Sequence, residues 1–530
     1  MTNPSSSVET IGHNMVDALA RTFPVACSSD EFFYFPQVRL PKPQWSTWDC
    51  FSSETVTEFV RRLSAWENEF NLLTSYESDL EVHIDIALWQ KLARTLREQL
   101  SEVRSWEFQP SFYLTLVGIG LAEAMESEDP AAKHERAKTL PTFLDQASHN
   151  LNRVPVLFRD IGLEMVSDTR NYLVLLAKTL PELKPALIAL DQFEDVIQRV
   201  ATGQDFVLPR DLLERVLCCH LHCNLDIQEI GHTLDREIEE MQQILHQEAR
   251  NLVSARFPIQ CCQRLWLEAL ESIPLPAVGK DGLVELYQSQ VNRLAKHCLD
   301  HGLVLPSLVS SCPVSVASMP PFLSAIRTGA SYSIPPKHPP SGGNFYIPIN
   351  PLPGEAPPGY LREYRMTCAH ETYPGHHLLD ASRWSLVQSL RRAVEQPIFY
   401  EGWACFAEEL VRLTGYFSAP GDRLLLAKRR LSHAVRGKVD IGLQTGVMNI
   451  PIAAKYLEEI GISKQRAMFS ARKYPLNPGY QLCYTLGLRR FLDLLHRYGG
   501  DNLPKFVQTI LAQGEIDFTH LEKILQNTNN

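Results

Sequence analysis

His370-Glu371-Thr372-Tyr373-Pro374-Gly375-His376-His377 sets three imidazoles and a carboxylate within eight residues, denser in metal-binding chemistry than any other part of the 530-residue chain. Neutral imidazole is the commonest zinc ligand, and a glutamate beside a ligand histidine stands where it can take a proton from water at the metal. Zinc peptidases usually carry this chemistry as H-E-x-x-H, with the two ligands one helical turn apart. Here the fifth position is Pro374 and the next histidine comes two residues late. In an undistorted helix His377 sits about 20° from His370 but about 10.5 Å along the axis, while His376 points about 120° away. Pro374-Gly375 must therefore deform the backbone, and the spacing leaves open which histidine joins His370.

Outward from this stretch, Glu401 follows His376 by 25 residues, among Phe399, Trp403, Phe406 and Leu410. A carboxylate set among residues patterned for burial is costly unless it is paired or coordinates a metal. Glu408 shares its helical face and is placed to support a ligand histidine by a hydrogen bond. Helices are expected over Leu361 to about Asp380, Ile398–Leu413, Arg423–Leu443 and Tyr480–Tyr498. Upstream, Phe59, Leu63, Trp66, Phe70 and Leu73 recur at helical steps, as do Ile227, Ile230, Leu234, Ile238, Met241 and Leu245. Near residue 303 the texture changes to short β-branched runs broken by prolines. Ala330–Ile334 and Asn344–Ile349 are expected to pair as an antiparallel hairpin, with Pro348 favouring an edge position. Such an edge could hold an extended peptide, and Tyr346 on it is a candidate substrate contact.

Composition narrows the partners. A net charge of -10 and a pI near 6.0 leave no basic footprint, so neither nucleic acid nor an anionic membrane is expected. The N-terminus does not read as a secretory signal, no 18-residue uncharged apolar run is present, and the 12 cysteines are scattered, so reduced thiols and a cytoplasmic location are expected. Cys218, Cys219, His220, His222 and Cys223 close an apolar helical run and read as core packing, not a second zinc site.

HETYPGHHLLDAS, YEGWACFAEEL, RGKVDIGL and NPGYQLCYTLG, in this order, resemble the motifs of the bacterial proteins called domain of unknown function 885. They span about residues 343 to 490, and the upstream LDIQEIGHTLDREIEEM is compatible with the rest of that family. The family is regarded as related to helical zincin peptidases, similar to thimet oligopeptidases and thermostable carboxypeptidases. The resemblance implies a mostly α, zincin-like fold with a deep cleft and a small antiparallel sheet beside the metal helix. Residues 1–300 would form a helical part of the cleft and 301–530 the catalytic region, as one continuous fold. It makes His370 the first metal ligand, Glu371 the general base and Glu401 the third ligand. His376 is the preferred second ligand, because zincin relatives also carry a glycine before that histidine, and His377 competes. Tyr484, in the P-G-x-x-x-x-Y-x-x-G pattern with Pro478, Gly479 and Gly487, becomes an oxyanion donor, with Tyr480 a further candidate. Arg436 and Asp440, in R-x-x-V-D-x-G-L, would anchor a substrate carboxylate or brace the cleft, and Gln444 stands where many members carry histidine.

The expected activity is zinc-dependent hydrolysis of peptide or amide bonds in short peptides or small amides, with another divalent transition metal as a close variant. Two histidines and a carboxylate also describe a non-haem iron oxidoreductase site, and a helical binding scaffold without catalysis is the third reading. Glu371 directly beside a ligand favours hydrolysis.

Overall fold

Apolar side chains at steps of three and four turn most of the chain into helix. The computed structural model describes residues 4–38, 40, 44–74, 79–127, 129–203, 205–253, 265–276, 278, 282–320, 329–333, 341–348, 361–386 and 389–529. The helix Ser53–Thr74 buries Phe59, Leu63, Trp66 and Phe70, and the helix Ile227–Val253 buries Ile230, Leu234, Met241 and Leu245, the stripes expected from the sequence. Among the described residues no helix is long and apolar enough to cross a membrane.

Apolar packing gathers into two large cores. One joins Val8 through Ile197 with Leu390, Ala393 and Val394. The other joins Ile84 with residues from Met241 to Leu525, so the helices between Met241 and Asp300 share a core with the sheet and the site helices.

The sheet has three strands, β1 (Val314–Ser318), β2 (Ser331–Ser333) and β3 (Gly343–Ile347), in the order β1-β3-β2. β2 and β3 pair antiparallel as expected, but β1 adds parallel to β3, so the sheet is mixed rather than antiparallel. β3 is therefore the middle strand, not an edge; Pro348 falls one residue past its last ladder partner and interrupts nothing. Ile334 and Ile349, the expected outer limits of the hairpin, lie outside the described residues.

Five helices build the site: α1 (Tyr364–Glu371), α2 (His376–Arg383), α3 (Pro397–Leu413), α4 (Pro420–Gln444) and α5 (Leu482–Tyr498). The single helix expected over Leu361 to Asp380 is thus two. α1 stops at Glu371, where the N–H and hydroxyl of Thr372 both donate to the Cys368 carbonyl, at 2.9 and 2.6 Å. Pro374 has no N–H with which to continue a helix, and its carbonyl accepts from the Trp403 indole at 2.9 Å. Gly375 then folds onto the turn it has just left: a Cβ there would lie 1.8 Å from the His370 carbonyl oxygen. Only glycine lets the chain approach so closely and restart as α2.

α3 and α5 meet in the same way. A Cβ on Gly402 would lie 2.5 Å from Gly487 Cα, and one on Gly487 would lie 2.1 Å from the Ile398 carbonyl oxygen. Two glycines, one in each motif, let the backbones carrying Glu401 and Tyr484 touch. On α4, Asp440 is fully buried and accepts the backbone N–H groups of Gly479 at 3.2 Å and Gln481 at 3.0 Å, which fixes the start of α5.

Candidate metal centre

Three buried helices present polar stripes at helical spacing to one volume: Glu401, Cys405 and Glu408 on α3; Arg429, His433 and Arg436 on α4; Tyr480 and Tyr484 leading into α5. α1 and α2 add His370, Glu371 and His376.

His370 and His376 each aim Nε2 at Glu401 Oε2, at 3.6 Å in both cases, with their rings nearly perpendicular. One nitrogen from each imidazole and a carboxylate oxygen all lie within 4.8 Å of one another, and all three residues are buried. Glu401 Oε1 accepts the Tyr480 hydroxyl at 2.8 Å, whereas Oε2 is buried without a hydrogen-bond partner. An orphaned carboxylate oxygen is costly in a dry interior, and two imidazoles converging on it form a donor set that fits a divalent ion of the zinc class.

The two histidines are held differently. His370 Nδ1 lies 3.0 Å from Glu408 Oε1, and Arg429 grips that carboxylate through Nε and NH2 at 2.8 and 2.7 Å. Burial alone raises the Glu408 carboxyl, but Arg429 and His370 outweigh it and hold it at about 2. His376 stacks on Tyr400, ring centroids 4.0 Å apart, and the Tyr400 hydroxyl donates to Asp380 Oδ2 at 3.3 Å. Its own Nδ1 is buried without a partner.

His377, the competing candidate, is turned away. Its Nε2 lies 2.8 Å from the Cys312 carbonyl oxygen and its Nδ1 lies 2.9 Å from the Tyr332 hydroxyl. A carbonyl only accepts, so Nε2 carries the proton and Nδ1 accepts from Tyr332. Burial pushes its pKa down to about 4, leaving a neutral ring that ties α2 to β2. The restart of the helix at His376 sends consecutive side chains about 100° apart, which is why only one of the pair can face His370.

Glu371, the last residue of α1, is half-buried, and the Tyr332 backbone N–H donates to its Oε2 at 3.1 Å. Burial pushes its carboxyl above the usual range; Glu401 adds to this, and His370 and His376 oppose it. The Tyr484 ring is 6.4 Å from that of His370 and stacks on His433 at 4.8 Å, with the Arg436 guanidinium 4.8 Å from its centre. Burial, with the charge of Glu401, raises the Tyr480 and Tyr484 phenols well above their ordinary value, so both remain hydrogen-bond donors.

Other candidates lie apart from this cluster. Asp440 is fully buried, gives one oxygen each to the backbone N–H groups of Gly479 and Gln481 and makes no ion pair with Arg436, which places it as a brace of the start of α5. Tyr346 sits on the middle strand, one strand removed from the edge that meets Glu371. Gln444 is buried with both amide atoms unpartnered. The Cys218–Cys223 run does not assemble: His220 lies between Glu98 and Gln99, and His222 reaches Asp517.

Sequence reasoning passed over Tyr400, Cys405, Arg429 and His433. Cys405 Sγ is 3.5 Å from His433 Nδ1, and burial, with the nearby Arg436 and Arg429, keeps that imidazole neutral. A partial signal was present: polar residues at 401, 405 and 408 interrupt a mostly apolar helix at steps of four and three, whereas 429, 433 and 436 lie among other charged residues of their helix and do not stand out.

Residues 42–525 match the family described as bacterial protein of unknown function, DUF885, and the chain belongs to it. No curated protein matches the chain. Two solved structures are similar over nearly the whole length. A candidate lipoprotein of unknown function from Shewanella oneidensis aligns with a TM-score of 0.75 at 16% identity, covering 98% of this chain and 100% of that one. A candidate lipoprotein from Colwellia psychrerythraea aligns with a TM-score of 0.82 at 15% identity, covering 99% of each. At such identity the likeness carries the fold alone.

Proposed function

We propose that the chain is a metal-dependent hydrolase of peptide or amide bonds, with zinc as its ion and short peptides or small amides as its substrates. The observation that carries this reading is the convergence of His370, His376 and Glu401 around an orphaned carboxylate oxygen, with the carboxylate of Glu371 adjoining. In fold terms the reading makes the family a helical relative of the gluzincin peptidases.

An ion held by His370, His376 and Glu401 would supply Lewis acidity and lower the pKa of water. Glu371, already desolvated and oriented by the Tyr332 N–H, takes the proton from the attacking water and returns it to the leaving nitrogen. Tyr484 donates its phenolic hydrogen to the oxyanion, and Tyr480 holds the Glu401 carboxylate in place. Glu408 and Arg429 fix the tautomer and plane of His370.

Incubation of the zinc-loaded protein with a mixed pool of short peptides, read by mass spectrometry, tests the reading. Wild type is expected to release new amines, with a rate about 10²- to 10⁴-fold lower in Glu371→Gln. Equal rates in the two proteins, or no turnover at full zinc occupancy, would reject it, and cleavage of intact casein would reject the restriction to short substrates.

A further inference from the structure

Arginines around the site are matched by carboxylates. Arg429 holds Glu408 and Glu363, Arg430 holds Glu237 and Glu409, and Arg383 holds Asp380 and Glu515. Arg436 differs. Among the described residues no ion pair engages it; its Nε and NH2 donate to the neutral amide oxygen of Gln481, at 2.8 Å for Nε. Its plane is fixed on two sides, by Gln481 along one edge and by the Tyr484 ring at 4.8 Å. Gln481 is itself set by the buried Asp440, which accepts its backbone N–H. Arg436, Gln481 and Tyr484 are all half-buried, so the cluster is partly desolvated but not sealed from solvent.

A guanidinium whose direct side-chain acceptor is a neutral amide has no ion-pair partner of its own, and its fork of donors matches a carboxylate better than any other common group. The ordering of its plane removes the entropy that a free arginine side chain would lose on binding. We infer that Arg436 is the anchor for a carboxylate at the end of the substrate, and that the site takes peptides with a free carboxyl terminus. This rests on the hydrolase reading for what happens next, but not for binding. Because Arg436 lies against the ring of Tyr484, an anchored carboxylate stands about one to two residues from the carbonyl that Tyr484 would serve. Cleavage then falls near the carboxyl end.

Binding tests it without turnover. The full-length chain carrying Glu371→Gln is dialysed against a mixed-sequence pool of N-acetylated tripeptides, supplied as free acids and as C-terminal amides. Free acids are expected to be retained about tenfold or more over the amides. Arg436→Met is expected to erase that difference, and Arg436→Lys, which keeps the charge but loses the fork, to retain only part of it. Equal retention of acids and amides by the parent overturns the anchor without any Arg436 variant, as does retention of neither or an undiminished preference in a folded Arg436→Met. Hydrolysis of the same pools by wild type is scored separately. Acid-selective binding without hydrolysis keeps the anchor and rejects the hydrolase reading, whereas equal hydrolysis of acids and amides does the reverse.

Discussion

The two imidazoles that face Glu401 are held by unlike means. His370 leans on a charged chain, Glu408 and then Arg429, whereas His376 rests on the face of Tyr400 and leaves Nδ1 buried with no acceptor. A hydrogen bond to a fixed carboxylate sets tautomer, plane and basicity together. Stacking sets the plane alone. The His370 arm is therefore held in orientation by side-chain hydrogen bonds, while the His376 arm would keep an uncompensated buried donor whenever Nε2 is a ligand atom. Affinity should be governed by the first arm and geometry by the turn that delivers the second.

That turn is the first place to break the comparison. Gly375→Ala forces a methyl group into the His370 carbonyl, so a stability loss of about 3 kcal/mol or more is expected, together with loss of zinc binding. A normally folded, zinc-binding Gly375→Ala protein would show that the two arms do not depend on this contact. Of similar size, Arg429→Met leaves Glu408 without its cation, while Glu363 keeps Lys428, and should cost about 3 kcal/mol in denaturant unfolding.

Glu408→Gln sharpens the contrast. It removes the anion behind His370 and is expected to weaken zinc about 10- to 100-fold by competitive chelation, whereas Tyr400→Leu, behind His376, should cost about 0.5 to 1.5 kcal/mol. Comparable losses in the two proteins would mean that the arms are equivalent. The pH dependence of stability should carry the same asymmetry. Glu408 is depressed to about 2 in the folded state, so its contribution is complete above the unfolded value of about 4.3 and is lost as pH falls towards about 2. Melting temperatures recorded from pH 6 to pH 2.5 should fall more steeply for wild type than for Glu408→Gln, and parallel curves would contradict that assignment.

Much of this arrangement was legible in the sequence. Glu401 and Glu408 showed themselves as carboxylates on one apolar helix, and the step-of-three-and-four stripes marked the long helices. The choice between His376 and His377 was not readable from spacing, and the preference for His376 rested on the resemblance alone, because the choice depends on how Pro374 and Gly375 end one helix and start another, which a periodicity argument treats as one distorted helix. The mixed sheet was hidden for a related reason: β1 and β3 pair across an intervening strand, and local alternation does not encode such a partner. Asp440 shares a motif with Arg436 at helical spacing, yet its oxygens go to backbone N–H groups some 40 residues away, at Gly479 and Gln481. Sequence spacing shows which side chains share a face; it does not show what meets that face.

The most direct measurement is zinc content by mass spectrometry of purified, folded protein after equilibration with the ion, comparing wild type with His370→Ala, His376→Ala, His377→Ala and Glu401→Ala. About one zinc per chain is expected in wild type and in His377→Ala, with loss in the other three, since His377 spends both ring nitrogens on Cys312 and Tyr332. Zinc absent from folded wild type, or lost from a folded His377→Ala protein and kept by His376→Ala, would contradict the centre described here.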